Sequence, residues 1–403
     1  MTKALQGIKI ADFTWVAAGP LTTIYLAQCG ATVVKVESAT RVDGQRTFPP
    51  NKDGIAGMNR SLEFSLDNAG KYGMTINLNH PKGLDVAKRL IVWADVVAEN
   101  YRPGTMERWG LGYEDLKKIN PSIIMFRSSA QGQTGPHADM GTTGITLQSL
   151  TGFTFLTGWP DQDPSPPWGA YTDLTVPALG ATMLVAALDY RARTGQGQYL
   201  DLSQYEASLQ YLAPAVLDYA VNGRCASRMG NSCHYAAPHG VYRCAGDDRW
   251  CAIAVFSDEE WKAFCKAIKQ PDWRKNPRFA TLVDRKANEA ELNRLIEEWT
   301  INHTAEEVMV LMQGSGISAG VVENAADLVK DPQLKKRAVF QPLDHDEIGQ
   351  VLHRGAAFKL SRTPWKLEMP GPCLGQHTEY VCREFLNMSD QEFVDLLNSG
   401  AFE

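Results

Sequence analysis

The sequence predicts an α/β protein whose larger domain contains a Rossmann-like open parallel sheet. Three observations support this fold class: strands alternate with helices through the first half of the chain, the strands are short apolar or β-branched runs, and the composition is that of a globular protein. The chain has 403 residues, of which 44% are hydrophobic and 21% are charged, so it can form two or three domains with a sizeable core. Strands that alternate with helices pair in parallel through right-handed crossovers.

The first elements follow from local patterns. A short buried strand is predicted at residues 8–11, and the β-branched run ATVVKVE predicts a second strand at 31–37. Between them, Gly19 and Pro20 open a helix that Gly30 ends. Further strands are predicted at residues 74–78, 95–98, 122–126 and 198–202, and further helices at 81–93, 114–119, 174–193 and 205–222.

The character of the sequence changes after Gly223, which predicts a second domain. Cysteine, aromatic and glycine residues crowd the segment 225–253, and helices are predicted beyond it. We therefore assign residues 225–330 to a smaller α+β domain, and residues 1–224 together with 331–403 to the large domain. Helices of the small domain are predicted at 258–268, 288–300 and 304–312, a strand of the tail at 351–359, and short helices at 378–386 and 389–397.

Composition excludes several classes of protein. With 40 Lys+Arg against 46 Asp+Glu, the formal charge is −6, which argues against a nucleic-acid partner. There is no run of about 18 apolar residues and no signal-peptide core, so we expect a cytoplasmic protein without a membrane partner. The apolar segment 174–193, interrupted by Pro177, is predicted to be a buried core helix. Eight scattered cysteines predict neither a disulfide framework nor a metal site.

A nicotinamide-binding site is the first candidate for the sheet, and the sequence argues against it. Glu37 closes the second strand, where an acidic residue would hold a ribose. The loop at residues 12–20 contains one glycine, whereas the dinucleotide fingerprint needs three for close approach of the pyrophosphate. The Gly-x-Ser-x-Gly and P-loop patterns are also absent.

Two loops and one carboxylate remain as candidates for chemistry. The loops at residues 15–19 and 99–104, the latter followed by Arg108, are either phosphate sites or solvated turns. Asp173 stands between aromatic residues and an apolar helix, where it is either a helix N-cap or a desolvated nucleophile. The residues by themselves leave both alternatives open in each case.

Motifs spread along the whole chain resemble the class III CoA-transferase family, the group of formyl-CoA transferase and carnitine CoA-transferase. They occur in order and span essentially the whole chain. They are Leu5-x-Gly7-Ile8-x-Ile10-x-Asp12-Phe13, Ala18-Gly19-Pro20, Gly30-Ala31-x-Val33-x-Lys35-Val36-Glu37, Glu99-Asn100-Tyr101-Arg102-Pro103-Gly104, Gly132-x-x-Gly135-Pro136, Asp173, Thr194-Gly195-x-Gly197-Gln198 and Leu374-Gly375-x-His377-Thr378.

The resemblance implies a CoA-transferase that moves CoA from an acyl-CoA thioester to a free carboxylic acid. Asp173 would be the nucleophile and would form an aspartyl anhydride and then an aspartyl-CoA thioester. The acyl-CoA would be a substrate, and no tightly bound cofactor is expected. The family also implies an interlocked dimer, either a homodimer or a hetero-oligomer with a related subunit.

The resemblance also implies which residues form the site. The substrate pocket would include Trp15, Trp168 and Tyr171, and with Trp159 these aromatic residues suggest a large or aromatic acceptor, with succinyl-CoA as donor. The residues expected to bind CoA are Val16, Ala17, Ala18, Ile76, Asn77, Asn79, Asn100, Tyr101, Arg102 and Arg108.

Two departures from the family pattern affect this expectation. Ser38 stands where some relatives have a basic residue, so Arg41 or Arg46 is expected to replace that cation. Ala17 stands where formyl-CoA transferase has a glutamine, which weakens a formyl or oxalate assignment.

Two other functions are alternatives within the resemblance. An α-methylacyl-CoA racemase needs an acid/base pair, but Thr143 lies near the place of the histidine that such relatives carry, and His137 lies several residues away. A non-catalytic subunit is the second alternative, and the presence of Asp173 argues against it.

Overall fold

The computed structural model describes residues 3–403, which form two compact units. The larger unit comprises Met1–Thr154, Pro166–Cys225 and Gln333–Glu403, and the smaller comprises Phe155–Ser165 and Ala226–Pro332. The large unit is therefore built from both ends of the chain. The segment Phe155–Ser165, which the sequence interpretation placed in the large domain, belongs to the smaller unit, where the Gly230 amide donates to the carbonyl of Gly158 at 2.8 Å.

Within the described residues, the large unit contains a parallel sheet of six strands, β1 (Lys9–Asp12), β2 (Thr32–Glu37), β3 (Tyr72–Thr75), β4 (Val96–Glu99), β5 (Ile124–Ser129) and β6 (Tyr199–Ser203). Their order in the sheet is β3-β2-β1-β4-β5-β6. This is the doubly wound order of a Rossmann-like fold, and the predicted fold class is confirmed. The third strand ends at Thr75, three residues earlier than predicted, so Ile76 and the residues after it form a loop. The part of the chain that the structure describes has five further strands outside this sheet: β7 (His239–Arg243), β8 (Trp250–Ala254), β9 (Ser318–Val321), β10 (Phe340–His345) and β11 (Gly349–Arg354).

Helices cover both faces of this sheet and build most of the smaller unit. They are α1 (Ala18–Gln28), α2 (Leu62–Asp67), α3 (Pro81–Trp93), α4 (Thr105–Arg108), α5 (Tyr113–Ile119), α6 (Gly144–Leu150), α7 (Phe153–Leu156), α8 (Tyr171–Thr194), α9 (Gln204–Leu209), α10 (Ala213–Asn222), α11 (Asp258–Ala267), α12 (Leu282–Ala287), α13 (Glu289–Thr300), α14 (Ala305–Gly314), α15 (Ala325–Lys330), α16 (Pro332–Arg337), α17 (Thr378–Tyr380) and α18 (Asp390–Asn398).

Each face of the sheet has its own hydrophobic core, because successive residues of a strand point to opposite faces. Ala11 and Val34 belong to the core that α3 covers. Ile10 and Val33 belong to the core that α1 and α8 cover. Full burial of one such side chain contributes roughly 2 kcal/mol, so both faces of the sheet must be covered for the strands to be stable.

The long helix α8 is less buried than predicted. Its inner side packs closely on α1 and β5, since a Cβ on Gly180 would lie 2.9 Å from side-chain atoms of both Thr22 and Phe126. Its outer side leaves Leu174 and Val185 exposed, and 39% of its most apolar window is buried. By length and composition α8 is long and apolar enough to cross a membrane, a test that the core helix of a folded protein also passes.

Two other elements differ from the prediction. The helix predicted at 205–222 is two helices, α9 and α10, because Pro214 lies at the start of the second and cannot donate a helical hydrogen bond. The strand predicted at 351–359 ends at Arg354 and is the second half of an antiparallel hairpin, β10–β11. The smaller unit has an antiparallel sheet of order β7-β8-β9, and its core includes Trp261 and Phe264 of α11.

Candidate active site

A cavity of about 570 Å³ lies at the carboxyl ends of β1 to β4. The strand order reverses between β1 and β4, and open α/β sheets bind their ligands in the crevice at this point. The volume is that of a typical small-molecule or cofactor site. The lining residues are Trp15, Val36, Glu37, Ser38, Thr40, Arg41, Ile76, Asn77, Leu78, Asn79, Tyr101, Arg102, Thr105, Arg108 and Trp109.

Three arginines give this cavity a positive charge. Arg41, Arg102 and Arg108 line it, and none of them has a carboxylate partner within residues 3–403. Arg108 donates to the hydroxyl of Thr105 at 3.0 Å. Guanidinium groups that lack a protein anion are suited to bind phosphate, so the cavity favours an anionic ligand although the whole chain is acidic.

Glu37 also lines the cavity, but Arg46 neutralises it. The Nε and Nη2 atoms of Arg46 donate to the two carboxylate oxygens of Glu37 at 2.8 and 2.7 Å. The Arg46 side chain is fully buried and makes further bonds to Asn59 and to the carbonyl of Pro372. Of the two arginines considered as replacements for the cation missing at Ser38, Arg41 faces the cavity and Arg46 is occupied elsewhere.

Aromatic rings form one wall of the cavity. Trp15 meets Tyr101 edge-on at 5.8 Å between ring centres, and Tyr101 meets Trp109 in the same way at 5.6 Å. The guanidinium of Arg41 lies 5.8 Å from the centre of the Trp15 ring, within the range of a cation–π contact. Burial raises the pKa of Tyr101, so its phenol stays protonated. Such a wall can stack against a heterocyclic base.

Asp173 lies in the first turn of α8, and its side chain does not cap the helix. The N-cap residue is Ala170, whose carbonyl accepts a bond from the Asp173 amide at 2.9 Å. The N-cap alternative for the Asp173 carboxylate is therefore wrong. Within residues 3–403, the carboxylate has neither a hydrogen-bond nor an ion-pair partner, so nothing in the described chain uses it structurally.

The backbone around Asp173 is closely packed. A Cβ on Gly144, the first residue of α6, would lie 2.2 Å from the Cβ of Ala170 and 3.4 Å from Oδ2 of Asp173, so only glycine fits there. The buried side chain of Gln148 holds the start of α8. Its Nε2 donates to the carbonyl of Gly169 at 3.2 Å, and its Oε1 accepts the amide of Tyr171 at 3.1 Å.

Burial raises the pKa of Asp173 to about 6 from its ordinary value of 3.8. The carboxylate is still ionised at pH 7 and above, but it has lost much of its hydration and has no partner that stabilises its charge. A carboxylate in this state is a stronger nucleophile than one in water. The site can therefore support attack on an electrophilic carbonyl.

The raised pKa predicts a pH dependence. Since only the ionised carboxylate attacks, kcat/KM for an acyl-CoA should rise with pH through a midpoint at about 6, the pKa of Asp173 in the free enzyme. The measurement is an initial-rate series from about pH 5 to pH 8 at constant ionic strength. A profile with its midpoint near 4, the value of a solvated aspartate, would contradict the desolvation of Asp173.

One short segment connects the cavity with Asp173. A Cβ on Gly141 would lie 2.4 Å from Nη2 of Arg102, and three residues later Gly144 borders the Asp173 carboxylate. The segment 141–144 therefore contacts both a cation of the cavity wall and the candidate nucleophile.

The predicted site residues fall into two groups. Those that line the cavity are Trp15, Ile76, Asn77, Asn79, Tyr101, Arg102 and Arg108. Those that lie outside its lining are Val16, Ala17, Ala18, Asn100, Trp168, Tyr171 and Asp173.

Residues of the second group differ in their surroundings. Asn100 Oδ1 accepts the amide of Trp15 and Asn100 Nδ2 donates to the carbonyl of Trp15, so this side chain holds the turn. Tyr171 packs edge-on against Phe153 at 5.2 Å. Trp168 is 89% exposed.

Thr105 and Trp109, at the two ends of the short helix α4, were not predicted. Their signal was their place in the segment that follows β4, Trp109 next to Arg108 and Thr105 three residues before it. No group of three or more His, Cys, Asp or Glu side chains arranged to hold a metal ion occurs within residues 3–403.

Comparison with known proteins identifies the family. Residues 5–378 match the profile of CoA-transferase family III. The chain belongs to CoA-transferase family III. The prediction that this chain is an enzyme of the class III CoA-transferase family is thereby confirmed. The match covers residues 5–378, in agreement with motifs that run along the whole chain.

Members of the family with known activities or structures are similar to this chain over nearly its full length. It is 32% identical to succinyl-CoA–D-citramalate CoA-transferase of Chloroflexus aurantiacus, over 98% of this chain and 97% of that protein. It is 33% identical to the beta subunit of succinyl-CoA–L-malate CoA-transferase of the same organism, over 98% and 97% of the two chains. The crystal structure of a CaiB/BaiF family protein from Brucella suis superimposes with a TM-score of 0.87 at 29% identity, over 96% of this chain and all of that one.

Proposed function

We propose that this chain transfers CoA from an acyl-CoA thioester to a free carboxylic acid through covalent intermediates at Asp173. The observation that carries the proposal is the Asp173 carboxylate, which is desolvated, unpartnered within residues 3–403 and linked by the segment 141–144 to a cation-lined cavity. The cavity would hold the CoA nucleotide, and Asp173 would meet the thioester.

The proposed reaction begins with attack of Asp173 on the donor. A carboxylate oxygen forms a bond to the thioester carbonyl carbon, the carbon–sulfur bond breaks, and the CoA thiolate leaves a mixed anhydride on the enzyme. The thiolate then attacks the aspartyl carbonyl of the anhydride. This releases the donor as a free carboxylate and leaves an aspartyl-CoA thioester.

The second half reverses these steps with the acceptor. The acceptor carboxylate attacks the aspartyl thioester and displaces the thiolate, which then attacks the acyl carbonyl of the new anhydride. The product is the acceptor's CoA thioester, and Asp173 is regenerated as a carboxylate. Because one thioester is exchanged for another, the overall reaction needs little driving force.

Donor and acceptor are proposed from the relatives and from the chemistry of the site. Both relatives compared above act on succinyl-CoA and a hydroxy-dicarboxylic acid, as their names state. We therefore propose succinyl-CoA as donor and a dicarboxylate as acceptor. A large or aromatic acceptor, which Trp15, Trp159, Trp168 and Tyr171 suggest, is the alternative, and the assay below includes such acids.

A direct assay tests the transfer. The purified chain is incubated with succinyl-CoA and, in turn, with malate, citramalate, glutarate and a series of aromatic acids. The CoA esters are then separated by chromatography and identified by mass spectrometry. Formation of an acceptor-CoA with equal loss of succinyl-CoA supports the proposal. No exchange with any acid, in protein that is folded by circular dichroism, contradicts it and favours a non-catalytic subunit.

The racemase alternative gains little support from the site. Thr143 is the N-cap residue of α6 and its amide bonds the Thr146 hydroxyl, while His137 lies exposed in a surface turn. Neither residue forms an acid/base pair with Asp173. Incorporation of deuterium from D₂O at the α-carbon of a 2-methylacyl-CoA, without CoA exchange, would select the racemase.

Arg41 is proposed to bind the ribose 3′-phosphate of CoA. In Rossmann-like folds the ribose lies beyond the end of β2, and an arginine there accommodates a ribose phosphate. Arg41 follows β2 by four residues, faces the cavity and has no carboxylate partner in the described chain. Since Glu37 is paired with Arg46, it does not cancel the charge of Arg41.

This assignment predicts a selective effect. Arg41→Ala should raise KM for succinyl-CoA about tenfold, and it should change KM for the 3′-dephospho analogue less than about twofold, because the lost contact involves only that phosphate. Steady-state kinetics with both esters measure the difference. Arg60→Ala, which removes an arginine outside the cavity lining, is the control. Equal losses with both esters would show that Arg41 does not bind the 3′-phosphate.

A second copy of this chain is proposed to cover an apolar surface of the larger unit. Helix α10 has no buried residue, and Leu217, Tyr219 and Val221 are exposed by 61%, 64% and 77%. Large apolar side chains exposed on one short helix are a feature of surfaces that contact another chain. Light scattering of the purified chain should give twice the mass of one chain, whereas a monomer would favour a related subunit as the partner.

A further inference from the structure

The turn after β1 holds a strained residue next to the cavity. Val16 has a φ of +63°, in the left-handed region that β-branched residues avoid because the side chain collides with the backbone. Residues persist in this region only where their surroundings force the conformation, and such places concentrate at functional sites. The neighbouring Trp15 lines the cavity and contacts the guanidinium of Arg41.

Buried charged groups hold the backbone of this turn. Asp43 Oδ1 accepts the Val16 amide at 2.9 Å, and Asp43 Oδ2 accepts Lys35 Nζ at 2.7 Å. Lys35 Nζ also donates to the carbonyl of Thr14. Lys35 and Asp43 are both 0% exposed, so this ion pair lies fully inside the protein and reaches the turn at two points.

The rest of the turn is held in the same way. Asp12 Oδ1 accepts the amide of Thr14 at 3.0 Å, and Asn100 bonds both the amide and the carbonyl of Trp15 at 2.7 and 2.8 Å. A second buried cation, Lys71, donates to Asp12 Oδ2 at 3.1 Å. Three consecutive residues of the turn thus depend on side chains that come from other strands and loops.

We propose that Asp43, paired with Lys35, is a positioning residue that imposes the left-handed conformation of Val16 and so fixes Trp15 in the wall of the nucleotide cavity. A buried ion pair is costly to desolvate and is weak evidence for stability in itself. Here its two partners bond the backbone on either side of Trp15, which is a geometric task that apolar residues could not perform. The part of this proposal that concerns ligand affinity rests on the proposed function, whereas the part that concerns the turn does not.

The substitution Asp43→Asn separates the positioning role of Asp43 from a general role in packing. Both Asp43 oxygens act as acceptors, one for the Val16 and Gln45 amides and one for Lys35. Asparagine has the same shape but one acceptor oxygen, so it must present its NH₂ group either to the Val16 amide or to the Lys35 ammonium. One side of the clamp is then lost without a change of volume.

The chain offers a matched control. Asp95 also uses both oxygens as acceptors, for the Lys9 amide at 2.8 Å and for Arg191 at 2.8 Å. Asp95 contacts Lys9, the first residue of β1, whereas Asp43 contacts the turn that follows the last residue of β1. Asp95→Asn therefore repeats the chemical change at the opposite edge of the sheet.

The first measurement is hydrogen exchange, which needs no substrate. In the native protein the Val16 amide should be protected, although its side chain is exposed to solvent, and exchange at the unprotected rate would overturn the proposal. Asp43→Asn should speed exchange of the segment 14–18 by about tenfold or more, whereas Asp95→Asn should not change it. An unchanged segment in folded Asp43→Asn would also overturn the proposal.

The second measurement is kinetic and includes a rescue. Asp43→Asn should raise KM for succinyl-CoA by about tenfold while kcat changes less than about threefold. Adding Val16→Gly should recover part of the lost affinity, because glycine adopts this φ without strain and needs no clamp. An equal KM in the single and double variants would overturn the proposal. If the proposed function fails and no CoA transfer is measurable, the hydrogen-exchange result still tests the turn.

Discussion

Asp173→Asn should abolish CoA transfer. Asparagine has nearly the same shape but cannot attack a thioester, so both covalent intermediates are lost, and the rate should fall by a factor on the order of 10⁴. The measurement is the exchange assay with succinyl-CoA, together with mass spectrometry of tryptic peptides after incubation with acyl-CoA and hydroxylamine. The native enzyme should carry the modification on the peptide that contains Asp173, and the variant should carry none.

A control on the same helix separates this loss from a general disturbance of α8. Asp189 is an exposed aspartate that pairs with Arg193, four residues further along α8. Asp189→Asn should leave the transfer rate within about twofold of the native value, because this surface pair contributes little to stability. A folded Asp173→Asn that keeps more than about a tenth of the native rate would overturn the covalent mechanism.

The same substitution should stabilise the folded protein. The pKa of Asp173 is raised from 3.8 to about 6 by burial, so between these values the folded chain binds more protons than the unfolded chain. Stability therefore falls as pH rises through this window, and above it the buried charge costs on the order of 1–2 kcal/mol. Denaturation at pH 8 should show Asp173→Asn to be more stable than the native chain, as expected where function requires an unfavourable group.

Arg46→Met should have the largest effect on stability. The substitution leaves the Glu37 carboxylate, which is 3% exposed, without its cation. It also removes a guanidinium that stacks 3.7 Å above the centre of the Phe64 ring. Loss of one partner of a buried ion pair typically costs about 3–5 kcal/mol, because the remaining charge is uncompensated. Denaturant-induced unfolding followed by circular dichroism measures the loss.

The effect should extend to ligand binding, because Glu37 lines the cavity. An unpaired negative charge there would oppose an anionic ligand, so KM for the acyl-CoA should rise as well. Adding Glu37→Gln removes this charge and should restore much of both the stability and the KM. A double variant as unstable as Arg46→Met would mean that packing against Phe64, and not the ion pair, is what Arg46 contributes.

Much of the fold was predictable because it depends on local patterns. Parallel strands covered on both faces are short apolar runs such as 31–37, and helices between them begin and end at recognisable residues such as Pro81 and Gly195. The errors have local causes too. Pro214 interrupts the helix predicted at 205–222, and α8 begins three residues before its apolar run, so Asp173 lies inside the helix.

The candidate site was predictable only in part. Residues directly after a strand, such as Trp15 and Arg102, could be assigned because the carboxyl ends of parallel strands meet at one edge of the sheet. The role of Asn100 could not, because its bonds to Trp15 join segments 85 positions apart. The pKa of Asp173 depends on which groups surround it in space, and no local pattern contains that information.

The sequence by itself determined the family, the doubly wound sheet and the identity of Asp173 as the candidate nucleophile, because motifs and strand patterns are properties of contiguous residues. The tertiary structure alone shows which of Arg41 and Arg46 faces the cavity, since these residues lie in one short segment with the same chemistry. Arg46 turns inward because the Glu37 carboxylate and the Phe64 ring enclose it, whereas Arg41 remains free in the cavity. A charge becomes available to a ligand only when folding has left it without an opposite charge in the protein.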